Sequence, residues 1–159
     1  MYKKIEVRQS TIHGRGVFAL SALEKGEKII EYKGERIDWV EAERRHPHDP
    51  KQPDHTFYFS LEDGLVIDGR VKGNAAKWIN HACKPNCEAR EIVDKKGVLR
   101  VFIFAQTDIA PGSELFYDYG LVVEGRRSKK LEQAYRCCCG HQRCRGTMLA
   151  PRVKRAVRS

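Results

Sequence analysis

The chain has 159 residues, 32% of them charged, and a formal net charge of +9, which suits one domain with its own hydrophobic core. Its longest apolar run, Val101 to Ala105, is too short to cross a membrane, and the charged N-terminus MYKKIEVRQS contains no secretory signal. We therefore expect a soluble intracellular protein.

Short segments rich in β-branched and aromatic residues, separated by glycine-containing turns, predict a mostly β domain of small sheets. The predicted strands, in chain order, are Ile5–Arg8, Gly16–Ala19, Lys28–Tyr32, Arg36–Ile37, Thr56–Leu61, Leu65–Asp68, Ala89–Val93, Leu99–Phe104 and Glu114–Tyr117. The dipeptides Asp63-Gly64 and Lys96-Gly97 are typical of hairpin turns.

Helical pattern is limited to Asp38–Arg45, a short turn at Asn74–Ile79 and the polar stretch Arg126–Ala134. The segment from His46 to His55 contains three prolines and predicts an irregular loop inserted in the β domain. Its three histidines, at positions 46, 48 and 55, are interpreted as surface residues.

The positive charge lies at the C-terminus. From Gly125 onward there are eleven Lys or Arg residues and one acid, a net +10, whereas residues 1–124 carry nineteen basic and twenty acidic side chains, a net −1. A basic tail on a neutral body attracts nucleic acid or another polyanion without reading its sequence. The alternative is a solvated terminal segment.

Three cysteines near the C-terminus, Cys137, Cys139 and Cys144, have a spacing that can supply three ligands of a tetrahedral zinc ion. Six cysteines without a secretory signal also favour metal binding or free thiols over disulfides. The obvious outside donor for the fourth position is Cys83, within WINHACKPNC. A zinc ion bound by all four cysteines would tie the tail to the middle of the chain.

The segment GNAAKWINHACKPNC, followed by ELFYDYG and the Cys-x-Cys-x4-Cys tail, resembles the SET-domain protein-lysine N-methyltransferases with a post-SET zinc motif. The resemblance begins at HGRGVF (residues 13–18), continues through EYKGE (31–35) and ends near Thr147. It implies the SET-domain fold, in which NHxCxPN and the ELxYDY segment lie together in a threaded, knot-like active site. It also implies S-adenosyl-L-methionine as methyl donor and one structural Zn²⁺.

The resemblance further implies roles for individual residues. Asn80 and His81 would hold the cofactor, and His13 and Arg15 would contact it mainly through backbone. Lys77 occupies a position where the family often has a cofactor-contacting Arg. The complete implied set is, for the cofactor, His13, Arg15, Phe57, Lys77, Asn80, His81 and Cys138; for catalysis, Tyr119 and Tyr117; and for the metal, Cys83, Cys137, Cys139 and Cys144.

Tyr119, the last tyrosine of the motif, would lie at the methyl-transfer site. Tyr117 occupies the position where the family uses Tyr or Phe to tune the number of methyl groups added, and a Tyr there implies mainly mono- and dimethylation. The run Phe57-Tyr58-Phe59 would supply part of the lysine channel, and relatives often carry Tyr where this chain has Phe57. Either Tyr58 serves the lysine channel instead, or the channel lacks one hydroxyl.

The expected organisation is a SET core over residues 1–120 with an inserted helix and loop at 38–55. A connecting segment (121–134), a post-SET zinc motif (135–149) and a basic tail (150–159) follow. The implied partner is a lysine-containing protein, by default a histone tail, although a bacterial DNA-binding protein or a host protein would also fit. The location would be the nucleus and chromosome in a eukaryote, or the cytoplasm in a bacterium unless the protein is exported as an effector.

Two other hypotheses compete with an active enzyme. The first is an inactive zinc-stabilised basic module that binds chromatin or nucleic acid. The presence of Asn80, His81 and Tyr119 argues against it. The second is a purely structural zinc protein, which does not account for ELFYDYG.

Overall fold

The computed structural model describes residues 4–11, 14–45, 57–119 and 144–148, together with positions 129, 133, 137 and 142. These residues form a mostly β fold, which confirms the predicted fold class. Among them, no helix has the length and apolar character needed to span a membrane.

The elements follow one another along the chain as short strands with two brief helical segments. The strands are β1 (Ile5–Gln9), β2 (Arg15–Ala19), β3 (Lys28–Glu31), β4 (Glu35–Ile37), β5 (Tyr58–Ser60), β6 (Val66–Asp68), β7 (Asn80–His81), β8 (Cys87–Val93), β9 (Leu99–Ala105) and β10 (Phe116–Tyr117). Helix α1 spans Trp39–Arg45, and a 3₁₀ helix spans Ala75–Trp78.

The strands of the described residues form four small sheets. Two are three-stranded, with the orders β3–β9–β8 and β4–β6–β5, and two are two-stranded, β1–β2 and β7–β10. The first three of these sheets are antiparallel, whereas β7 and β10 are parallel. Two parallel strands need a long crossover connection, which here is the β8–β9 hairpin.

Strand β9 supplies the centre of the hydrophobic core. Val101, Ile103 and Ala105 alternate along it and are fully or almost fully buried, as expected for one face of a strand. They pack in one cluster with buried residues of β2 and with Leu115 and Tyr117 at β10. The core therefore lies directly beneath the segment that carries the tyrosine motif.

The opposite face of β9 carries aromatic rings covered by cationic side chains. The Nζ of Lys28 lies 4.4 Å from the centre of the Phe102 ring, and the guanidinium of Arg90 lies 4.5 Å from the centre of the Phe104 ring. Long basic side chains cover apolar surface with their stems while their charges stay in water.

Helix α1 is capped at its start by a side chain. The Asp38 carboxylate accepts a hydrogen bond from the Glu41 amide at 2.8 Å, which satisfies one of the unpaired N–H groups of the first turn. At the other end, Arg45 donates to the buried Asp68 at 3.0 Å. Ala42 packs with Ile37 and Val66, so the helix is fixed against the β4–β6–β5 sheet.

Most predicted elements match the observed ones within one or two residues. The predicted strand at Glu114–Tyr117, for example, begins two residues later, at Phe116. Glu114 instead forms an isolated antiparallel bridge with Phe18. Strand β7 was not predicted. Of Arg126–Ala134, Lys129 and Gln133 are described and helical; the predicted loop from His46 to His55 lies outside the described residues.

Replacing Ile103 by alanine should lower the free energy of unfolding by about 3 kcal/mol, because it removes buried methyl groups and leaves a cavity. Ile92→Ala is the control, since Ile92 is 39% exposed on the neighbouring strand and should change stability by less than about 1 kcal/mol. Chemical denaturation of both variants is the measurement. Equal losses would contradict a core centred on β9.

Candidate active site

Two distant sequence motifs are joined by the parallel pairing of β7 with β10. Phe116 pairs with Asn80 and Tyr117 pairs with His81. The amide of Ala82 continues this contact by donating to the Tyr117 carbonyl at 3.4 Å. The Asn-His pair and the tyrosine motif therefore lie side by side, although more than 30 residues separate them.

The side chain of Asn86 supports this pairing from outside. Its Nδ2 donates to the Glu114 carbonyl at 2.9 Å, and its Oδ1 accepts from the Phe116 amide at 2.8 Å. An asparagine can replace a backbone partner in this way. Asn86 therefore has a structural role, since it holds the segment that leads into β10.

Tyr117 and Tyr119 form an aromatic cluster with the His81 ring. The ring centres of Tyr117 and Tyr119 are 4.8 Å apart, and those of His81 and Tyr119 are 5.3 Å apart in an edge-on arrangement. Tyr119 donates its hydroxyl proton to the Ile79 carbonyl. Burial raises the pKa of Tyr117 well above its usual value, so its phenol stays protonated at neutral pH.

The imidazole of His81 is held in one tautomer. Its Nδ1 accepts from the Tyr119 amide at 3.0 Å, so the proton of the neutral ring resides on Nε2. Burial lowers the pKa of His81 to about 4, with the nearby Asp118 opposing this effect and Arg145 adding to it. Neutral His81 therefore directs an N–H group at Cys83, whose Sγ lies 3.6 Å from Nε2.

Cys83 meets the C-terminal segment. Its Sγ is 3.7 Å from that of Cys137 and 3.8 Å from that of Cys144. Tetrahedral zinc with Zn–S bonds of about 2.3 Å separates its sulfur ligands by about 3.8 Å. Both distances from Cys83 therefore suit sulfur ligands that share one zinc ion.

The surroundings of the sulfur atoms also suit thiolates. The backbone amides of Arg145 and Gly146 point to Cys83 and Cys144 respectively, each at 3.3 Å. The ligand atoms of His81, Cys83 and Cys137 lie within 4.8 Å of one another. However, a histidine protonated on Nε2 cannot ligate a metal through that atom, so the tautomer of His81 favours a donor to Cys83 over a ligand.

An ion pair joins the C-terminal segment to the tyrosine motif. Arg145 donates to both carboxylate oxygens of Asp118 at 2.7 and 3.0 Å. Bidentate pairs of this kind are the strongest charge-assisted hydrogen bonds. Because Asp118 lies between Tyr117 and Tyr119, the pair holds the tyrosine segment and the cysteine segment together.

Three of the residues expected to contact the cofactor lie around the ring of Trp78. The Phe57 ring meets it edge-on at 5.0 Å between ring centres. The Arg15 guanidinium and the Lys77 ammonium lie 5.3 and 5.5 Å from its ring centre. Asn80 is joined to the same region, because its Nδ2 donates to the Arg15 carbonyl at 3.0 Å.

The side chains of Tyr58 and Phe59 point to different parts of the structure. The Tyr58 hydroxyl donates to the Ala42 carbonyl at 3.0 Å, so this side chain is directed at α1 and away from the tyrosine motif. Phe59 lies on the other face of β5, with its ring centre 6.4 Å from that of Tyr117. The aromatic residue of this strand that approaches Tyr117 is therefore Phe59, one of the three neighbouring aromatic residues expected to supply the channel.

A cleft of about 490 Å³ opens beside the two tyrosines. It is lined by aromatic, acidic and small residues: Phe59, Pro85, Cys87, Glu88, Ala89, Gln106, Tyr117, Asp118 and Tyr119. Aromatic rings and carboxylates both line the cleft, a combination that suits a basic side chain.

Several predicted site residues are described and others are not. Asn80 lies next to Arg15, and His81 lies next to Tyr117 and Tyr119. Three of the four predicted metal ligands are described, and Cys83 lies close to both Cys137 and Cys144. His13, Cys138 and Cys139 lie outside the described residues. Sequence reasoning missed the roles of Trp78, Asp118 and Arg145, although Trp78 and Asp118 lie inside recognised motifs.

Comparison with known proteins gives a consistent result. A family model described as the SET domain matches residues 14–120. The chain is 38% identical over 141 residues to histone-lysine N-methyltransferase trithorax of Drosophila melanogaster, covering 89% of the chain and 4% of that protein. It is 39% identical over 145 residues to an H3 lysine-4 specific histone-lysine N-methyltransferase of Saccharomyces cerevisiae, covering 91% of the chain and 13% of that protein.

Among solved structures, the fold resembles a polycomb repressive complex 2 in an autoinhibited conformation bound to S-adenosylmethionine. The TM-score is 0.69 at 32% identity, over 76% of this chain and 15% of that one. The complex from Chaetomium thermophilum gives a TM-score of 0.68 at 31% identity, over 76% and 16% of the two chains. The chain thus spans less than a fifth of each of these proteins.

Replacing Cys83 by serine should remove the bound zinc as fully as Cys144→Ser, lowering the content from about one ion per chain to near zero, because a tetrahedral site needs all its ligands. Cys87→Ala is the control, since burial raises the pKa of that thiol to about 12 and Cys87 lies in the core cluster. Metal analysis of the purified variants is the measurement. Full zinc content in Cys83→Ser would rule out a site shared between the middle of the chain and its tail.

Proposed function

The chain belongs to the SET-domain family, and we propose that it is an S-adenosylmethionine-dependent protein-lysine N-methyltransferase. The observation that carries the proposal is the pairing of Asn80-His81 with the tyrosine motif, because it joins a cofactor motif to one buried and one half-buried phenol. The names of the relatives and the S-adenosylmethionine bound to a structural neighbour support it.

The cofactor would lie between the β1–β2 loop and β7. Asn80 and the Arg15 backbone meet there, and Trp78 with Phe57 offers aromatic surface for an adenine ring. Arg15 and Lys77 supply positive charge for a carboxylate. When bound, S-adenosylmethionine supplies an electrophilic methyl group on a sulfonium, which a neutral lysine amine attacks in line.

The residues around the tyrosines would lower the cost of presenting a neutral amine. A lysine has a pKa of about 10.4, so deprotonating it at pH 7 costs about 4–5 kcal/mol. The rings of Phe59, Tyr117 and Tyr119 form an apolar wall, and removal from water disfavours the ammonium form. Alignment of the amine within this wall would contribute most of the rate enhancement.

Tyr119 would act through its oxygen. Because its proton is donated to the Ile79 carbonyl, the oxygen retains lone pairs that can accept weak C–H···O contacts from a polarised methyl group. The bond to Ile79 also fixes the orientation of the ring. Tyr119 therefore needs no change in protonation during the reaction.

The cleft beside the tyrosines supports a basic protein as substrate. Glu88 and Asp118 line it, and carboxylates attract lysine-rich or arginine-rich segments. A histone tail has this character, and the yeast relative is named for lysine 4 of histone H3. We therefore propose a histone or histone-like substrate and, in a eukaryote, a nuclear location.

The C-terminal part would be a post-SET zinc segment over residues 135–149, with Cys139 as fourth ligand beside Cys83, Cys137 and Cys144. Its basic tail, residues 150–159, would add sequence-independent attraction to nucleic acid. An inactive zinc-stabilised binding module is less well supported, because Tyr117 and Tyr119 both adjoin the candidate cofactor residues.

Incubation of the wild type with methyl-labelled S-adenosylmethionine and a panel of histones should label lysine, whereas Tyr119→Phe should reduce kcat by about 10²-fold, because one preorganised polar group is lost. The variant should still bind the cofactor in calorimetry. Tyr58→Phe is the matched control, since its hydroxyl bonds α1, and it should keep nearly full turnover. Wild-type turnover by Tyr119→Phe would assign catalysis to another residue.

Replacing Tyr117 by phenylalanine should shift the products from mono- and dimethyl-lysine towards di- and trimethyl-lysine. Its hydroxyl would hold a water or the amine and so crowd a methylated lysine. Tyr58→Phe is the control, because the Tyr58 hydroxyl bonds the Ala42 carbonyl at 3.0 Å, away from Tyr117, and its loss should leave the product ratio unchanged. Mass spectrometry of a time course measures the ratios. An unchanged product ratio in Tyr117→Phe would show that this hydroxyl does not set the number of methyl groups.

A further inference from the structure

Glu114 is the residue where the two segments of the proposed cofactor site meet. The Ser10 hydroxyl lies 2.8 and 3.0 Å from its two carboxylate oxygens. Asn80 Nδ2 donates to the same carboxylate at 3.0 Å. One side chain therefore links the end of β1 with β7.

The β1–β2 loop is shaped around this carboxylate. The Ser10 amide donates to the Gly14 carbonyl at 2.7 Å, which closes the loop. A Cβ atom on Gly16 would lie only 2.5 Å from Glu114 Oε2. Glycine at position 16 thus allows the carboxylate to lie against the backbone at the start of β2, next to the loop.

The backbone of Glu114 is fixed independently of its side chain. Glu114 forms a bridge with Phe18 of β2, and the amide of Leu115 donates to the Val17 carbonyl at 2.7 Å. The Glu114 carbonyl also accepts from Asn86. The carboxylate is therefore presented from a rigid base, which is the condition for orienting other groups.

We propose that Glu114 is a positioning residue for the cofactor, acting through Asn80 and the β1–β2 loop. The inference rests on the proposed function, in which that loop and Asn80 hold S-adenosylmethionine. An ionised carboxylate only accepts hydrogen bonds. It therefore selects the orientation of the Asn80 amide in which Nδ2 faces Glu114 and the Arg15 carbonyl.

The test compares Glu114→Ala and Glu114→Gln in the full chain. Glu114→Ala should raise the Kd and the KM for S-adenosylmethionine about tenfold or more, because two charge-assisted hydrogen bonds are lost. Glu114→Gln keeps an acceptor for Asn80, and its amide can donate to Ser10, so it should raise them only about threefold. For both variants, kcat at saturating cofactor and the KM for the protein substrate should change less than about twofold.

A second readout does not depend on the cofactor. The side-chain amide protons of Asn80 should exchange with solvent faster in Glu114→Ala than in the wild type, as measured by NMR. Glu31→Gln is the matched control, because Glu31 is another half-buried carboxylate, paired with Arg100 on the β3–β9–β8 sheet. It should alter neither cofactor affinity nor Asn80 exchange.

Three outcomes would overturn the proposal. A folded Glu114→Gln or Glu114→Ala variant with wild-type cofactor affinity and wild-type Asn80 exchange would remove the positioning role. A loss of kcat at saturating cofactor with unchanged affinity would assign Glu114 to the chemistry instead. A wild type that binds no S-adenosylmethionine would overturn the proposed function itself, and with it the cofactor role of Glu114.

Discussion

The candidate site depends on a parallel pairing only two residues long, between Asn80–His81 and Phe116–Tyr117. So short a pairing contributes little stability by itself, and its connection runs through the whole β8–β9 hairpin. It persists because both strands are held from outside. Asn86 replaces missing backbone partners on the β10 side, and a 3₁₀ helix capped by Asn74 leads directly into β7.

Buried polar groups give this pairing its specificity. Asn80 and His81 are both buried, and each has a backbone partner, the Arg15 carbonyl for Asn80 and the Tyr119 amide for His81. A satisfied buried network makes a single arrangement favourable, because any shift leaves a polar group without water or partner. The Tyr119 ring, which contacts His81, is held by the same network, and the proposed methyl transfer would require such rigidity to align the amine.

The C-terminal segment is tied to the same place by two interactions of different kinds. Thiols from both parts of the chain approach within 3.8 Å, and Arg145 forms a bidentate pair with Asp118. The thiol contacts lie next to His81. The ion pair involves Asp118, which lies between Tyr117 and Tyr119 in the sequence. The positions of Cys137, Cys144 and Arg145 are therefore coupled to the geometry of the candidate active site.

The sequence by itself predicted the mostly β class, most strands, the short helical segment at Asp38–Arg45, the cysteine triad and the motifs that carry the family resemblance. These features depend on residues close together in the chain, where alternation, helical pattern and ligand spacing are visible. Only the tertiary structure decided that Phe59, and not Tyr58, lies near Tyr117. It also decided that Arg15 and Phe57 contact the Trp78 ring. The hydrogen bonds from Ser10 and Asn80 to the Glu114 carboxylate are likewise visible only in the fold. Strand β7 had no local signal, since two residues show no periodicity. Such contacts link residues tens of positions apart, and they arise only when separate sheets pack around one core.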